Sequence, residues 1–134
     1  MTIGIDASRA NKKEKTGTEW YSYFLLQELK TIVPASHRVI LYSPTSLTGD
    51  LAKLPPNWES RVLYWPFKKF WTQGRLSLQM LVAAPDVLFV PSHAIPLIHP
   101  KKIVTTIHDI GFKANSGFYA RQEGWYHRVA LRLA

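Results

Sequence analysis

With 134 residues, 46% of them apolar and 19% charged, the chain has the size of one ordinary domain and is too apolar for a disordered polymer. It has no cysteine, which excludes disulfides, thiolate metal sites and cysteine nucleophiles, and no apolar run approaches the roughly 18 residues of a membrane span. Seventeen basic residues against nine acidic ones give a net charge of +8, which favours an anionic partner: a nucleic acid, a phosphorylated ligand or an acidic membrane.

The opening, MTIGIDASR, has a strand pattern with an early Asp6 instead of a basic-then-apolar leader, so the expectation is a soluble, cytoplasmic protein. Residues 2–7 form the first expected strand, followed by a polar loop and by Thr16, Gly17 and Thr18 at a helix start. Tyr21, Leu25, Leu29 and Ile32 then keep a helical spacing. A second strand is expected over 38–43. Gly49, Pro55 and Pro56 leave room only for a short helix around 47–54, within a surface excursion. The third strand is expected over 61–65, and a helix after Thr72 carries Leu76, Met80 and Leu81.

Strands four and five are expected over 86–90 and 102–108, joined by the proline-rich loop PSHAIPLIHP, which is short for a parallel crossover. The last strand ends at His108 and Asp109 and turns at Gly111. A further helix from Arg121 presents Trp125, Val129 and Leu133 and reaches Ala134 with its periodicity still running and no stop signal, as in a chain that is cut. Near-continuously apolar strands alternating with helices predict a Rossmann-like α/β domain, a parallel sheet covered on both faces. Ligands of such sheets bind outside the carboxyl ends of the strands, where Gly17, Thr18, Ser92, His93, His108 and Asp109 all fall.

Each of these has a functional and a structural reading. A glycine at a helix start lets a phosphate approach the N–H groups and the positive end of the dipole, yet a helix cap at Thr16 or Thr18 explains the same residues. An imidazole at position 108 can hold a hydroxyl or assist charge development at a leaving phosphate, or it can rest on a backbone carbonyl with Asp109 capping the next turn. Ser92 and His93 follow the fourth strand and face the same end, as acceptor-binding candidates. His99, between Ile98 and Pro100, reads as structural. His93, His99 and His108 lack tight ligand spacing, so no metal site is expected.

The phrases IGIDASRANKKEKTGTEWYSYFLLQEL, FWTQGRLSLQMLVAAPDVLFVPSHAIPL and IVTTIHDIGF together resemble the amino-terminal domain of GT-B glycosyltransferases of the retaining family 4 type. The resemblance implies that residues 1–134 are the acceptor-side half of a two-domain enzyme, incomplete without a donor-binding carboxy-terminal domain and inactive alone. It implies that Gly17 and Thr18 touch the donor diphosphate, that His108 contacts the donor sugar near its reacting carbon, and that Asp109 orients loops or helps bind a hydroxyl. The co-substrate would be a nucleotide sugar, with no cofactor or metal, and the acceptor a glycan or a lipid-linked precursor. The family's pair of glutamates separated by seven residues is missing. WTQGRLS departs from the family's WEQxRLP at Thr72 and Ser77.

The segment from Tyr64 to Trp71 places Trp65, Phe67, Phe70 and Trp71 around Lys68 and Lys69. With Lys12, Lys13 and Lys15, this loop is expected to dock on an anionic bilayer, as a peripheral protein on the inner membrane face, or to form an acceptor surface. The alternative is that Trp65 and Trp71 pack in the core beneath solvated lysines. A competing function is a basic, non-enzymatic module for nucleic acid or phosphorylated ligands, opposed by the dispersed charges, so no nucleic acid is expected. A nicotinamide enzyme is disfavoured because the loop after the first strand lacks G-x-G-x-x-G. An unprotected sheet edge or apolar face would let the domain self-associate.

Overall fold

Five strands form one all-parallel sheet in the computed structural model, which describes residues 1–67 and 69–108. β1 (Thr2–Asp6) is central, with β2 (Arg38–Ser43) and β3 (Trp58–Val62) on one side and β4 (Val87–Val90) and β5 (Ile103–Thr105) on the other. The order β3-β2-β1-β4-β5 means that the chain grows outward to β3, then crosses back to place β4 beside β1. That reversal makes the carboxyl ends of β1 and β4 the switch point of a Rossmann-like α/β sheet. Asp109, the turn at Gly111 and the helix expected from Arg121 lie outside the described residues, as does Lys68.

Alternation along the strands divides the core into two layers. Ile5, Val39, Leu41 and Trp58 pack under the helix α1 (Gly17–Ile32), together with Leu26 and Leu51. Ile40, Tyr42, Leu88 and Val90 point the other way, against Leu63, Trp71, Leu76 and Met80. Gly4 shares this second face because Tyr42 and Pro85 occupy its side-chain space: a Cβ there would sit 2.9 Å from the Tyr42 ring and 2.7 Å from Pro85.

The third strand lies three residues earlier than the sequence suggests. Trp58 pairs with Val39 and Val62 with Ser43, so the apolar Leu63–Trp65 run has already left the sheet. As an edge strand, β3 is polar between its ends, with Glu59 accepting from Arg38 at 2.8 Å and from Arg61 at 2.9 Å. Charge at an edge opposes further strand addition, and here it also hid the strand from a search for apolar runs.

α1 likewise buries a different line from the one expected. Glu19, Ser22 and Leu26 are buried, whereas Tyr21 and Ile32 are exposed. The helix sits over β1 and β2, and Tyr21, Leu25 and Leu29 wall an apolar channel above Val87, Phe89 and Val104. The excursion after β2 holds one 3-10 turn, Gly49–Ala52, inside the short helix expected there. After Thr72 the chain makes a π-helical turn (Thr72–Leu76), marked by the Leu76 N–H donating to the Trp71 carbonyl, and continues into α2 (Ser77–Val82).

Candidate functional site

At the carboxyl end of β1, Asp6 is buried, with one carboxylate oxygen accepting the Ser8 N–H at 2.9 Å and the other facing the Thr72 hydroxyl at 3.4 Å. Burial raises its pKa, against the Ser8 hydrogen bonds and the Arg9 charge. Asp6 therefore ties the loop after β1 to the π-helical turn across the mouth of the sheet.

The same loop closes on Glu19. Arg9 and Lys12 reach one Glu19 oxygen at 3.2 and 2.9 Å, and the Thr16 N–H and hydroxyl both donate to the other. Thr16 is thus the N-cap of α1, and Glu19, three residues on, supplies the return bond of a capping box. Burial pushes the Glu19 carboxyl up, but the Thr16 and Lys12 hydrogen bonds and the Lys12 charge outweigh it and hold the pKa at about 2. Lys15 turns back, donating to the Lys12 carbonyl at 2.6 Å and lying over the Trp20 and Tyr23 rings. Lys13 is exposed. Beside them, Gly17 opens onto empty space, with no atom within 4 Å of where a Cβ would lie.

Ser22 of the second turn of α1 and His108, beyond the end of β5, meet at the Pro91 carbonyl that follows β4. The Ser22 hydroxyl lies 3.1 Å from that oxygen and His108 Nε2 lies 3.2 Å from it. A carbonyl only accepts, so Nε2 carries the proton in this contact and Nδ1 is left as an acceptor. Tyr21 fixes the imidazole further, its ring edge-on at 4.7 Å, with its hydroxyl 3.4 Å from that of Thr106. His108 thus satisfies the backbone contact of the structural reading while keeping one nitrogen for chemistry.

Ser92 is buried in the turn after β4, where its hydroxyl accepts the Ala94 N–H and its carbonyl accepts the Thr105 hydroxyl. Its side chain serves the turn itself. His93 is half-buried beside it, and His99 is exposed, its Nδ1 2.9 Å from the Pro100 carbonyl. Among the described residues no group of three His, Asp or Glu side chains is placed to hold a metal ion, and no helix is long and apolar enough to cross a membrane.

A cleft of about 540 Å³ opens at this end of the sheet, between the β1 loop (Ser8, Arg9, Lys12) and the entry to the π-helical turn (Lys69, Phe70, Thr72). Its volume falls within the usual range of small-ligand sites. Three cations line it, and one carboxylate, Glu19, engages two of them. Arg9, Glu19, Asp6 and Thr72 are site-forming residues that strand and helix patterns alone did not single out. The Thr16-to-Glu19 spacing is the one signal that marks part of this group in the sequence.

Both departures from the WEQxRLP pattern acquire local roles. Thr72 places its hydroxyl on buried Asp6, where a glutamate would set a second carboxylate beside the first. The Ser77 hydroxyl accepts the N–H groups of Leu97 and Ile98 at 2.8 and 3.4 Å, pinning the 91–100 loop to α2, a contact that proline lacks the atom to make.

Comparison with protein-family models, with curated proteins and with solved structures finds no match to this chain.

Proposed function

We propose that this chain is the acceptor-side half of a retaining glycosyltransferase that moves a sugar from a nucleotide-sugar donor to a glycan or a lipid-linked acceptor. The observation that carries the reading is that Ser22, in the second turn of α1, and His108, beyond the end of β5, meet on the Pro91 carbonyl at the carboxyl edge of the sheet, one turn from the open space at Gly17. Gly17 and Thr18 receive the donor diphosphate at the helix N-terminus, and His108 Nδ1 accepts a sugar hydroxyl. The acceptor lies in the basic cleft. In the transfer, the bond from the sugar's anomeric carbon to the diphosphate breaks, the acceptor oxygen bonds to that carbon on the same face, and the acceptor proton passes to the leaving phosphate. A second, donor-binding domain completes the site, and the domain alone is inactive. Asp109, assigned a supporting role by the family pattern, lies outside the described residues.

Thermal shifts of the complete gene product against a panel of nucleotide sugars test this: stabilisation by one donor is expected, and indifference to all of them would count against it. A basic module for nucleic acid is less well supported, because the basic residues are dispersed along the chain without a long single-sign run.

A further inference from the structure

The segment linking β3 to the π-helical turn divides into anchors and projections. Trp71 is 9% exposed and its indole N–H donates to the Leu63 carbonyl at 2.9 Å. The Trp65 N–H donates to the Lys69 carbonyl at 2.9 Å, and its ring lies so close to Gly74 that a Cβ there would come within 2.7 Å. The two tryptophans expected on the docking surface are therefore its supports, which corrects that part of the sequence reading. In the same segment Tyr64, Phe67 and Phe70 are 75%, 67% and 65% exposed. Phe70 holds φ at 62°, a left-handed backbone that non-glycine residues rarely adopt, and the strain is retained while its ring faces outward.

Three exposed aromatic rings on one short segment, one of them on a strained backbone, offer a contact surface, and the neighbouring charge selects its chemistry. Phe70 and Lys69 form one rim of the cleft whose opposite rim carries Arg9 and Lys12. The chain's net charge of +8 adds long-range attraction to an anionic surface. A protein partner with an acidic apolar groove would meet the rings, but laterally mobile anionic headgroups suit exposed rings beside Lys69 and the cationic cleft better.

We propose that Tyr64, Phe67 and Phe70 insert into the interfacial layer of an anionic bilayer, with Lys69, Lys12 and Arg9 over its headgroups, so that the cleft opens onto the membrane surface. The docking stands independently of the transfer reading, because it needs no donor.

Co-sedimentation with phosphatidylglycerol and phosphatidylcholine vesicles tests it on the intact chain. Binding to the anionic vesicles is expected, weakening with salt, and Phe67→Ser and Phe70→Gly should each reduce it about tenfold. Val82→Ser, at the far end of α2, removes an equally exposed apolar group and should leave binding unchanged. Phe70→Gly relieves the backbone, so its loss of binding cannot be ascribed to misfolding. Failure to bind anionic vesicles, binding that survives loss of both rings, or preferential binding to an oligonucleotide would each overturn the proposal.

Discussion

At the scale of single residues, two buried carboxylates at the mouth of the sheet respond to acid in opposite senses. Glu19 is held at a pKa of about 2 against an ordinary 4.5, so its stabilisation is complete above pH 4.5 and is lost as the pH falls towards 2. That shift corresponds to about 3 kcal/mol. Asp6 is raised by burial, so the folded state binds its proton more tightly than the unfolded chain, and acidification through that window favours folding. Glu19→Gln is expected to lower stability at neutral pH by about 2–3 kcal/mol and to remove most of the loss on acidification, which urea unfolding at a series of pH values would read. Gly17→Ala is a different case. The space beside Gly17 is empty, so the substitution should leave the melting temperature equal or slightly higher while weakening any phosphate ligand at that helix end.

At the scale of elements, the 91–100 loop crosses between two parallel strands without a helix and is fixed instead by side chains. Ser77 holds Leu97 and Ile98, Thr105 holds Ser92, and Pro91 receives Ser22 and His108. Ser77→Ala would leave two loop N–H groups without their acceptor, at a cost of about 1–2 kcal/mol, with faster hydrogen exchange at Leu97 and Ile98 as its signature. Much of this architecture was legible beforehand. Continuous apolar runs such as VILY and VLFV announce the central strands, though Val87 and Phe89 line an open channel on one face, and Thr16, Gly17 and Thr18 announce the start of α1. The third strand was misread because an edge strand carries its charges where a central one carries valine, and the following Leu63 and Trp65 looked more strand-like. The buried line of α1 was shifted for a related reason: the helix sits over β1 and β2, leaving Tyr21 beside an open channel, and the register of a helix on a sheet is a tertiary fact.

At the scale of the whole molecule, the strand order brings the β1 loop, the π-helical turn and the β4 and β5 ends to one edge. The candidate site was legible as a set of strand ends, since Gly17, Thr18, Ser92, His93 and His108 could be placed there from pattern alone. Its electrostatics were not. The Glu19 contacts with Arg9 and Lys12 and the Asp6 contact with Thr72 join residues whose side-chain directions depend on the folded loop. The aromatic segment shows the same limit, because composition did not tell its hydrogen-bonded tryptophans from its exposed rings.

The central claim is that this edge works on a nucleotide sugar, and release of nucleoside diphosphate by the complete gene product tests it most directly. One donor in a panel is expected to support release by the wild-type protein, with a roughly 100-fold loss in His108→Ala at a temperature where that variant remains folded. Release from no nucleotide sugar, or release indifferent to His108, would contradict the account.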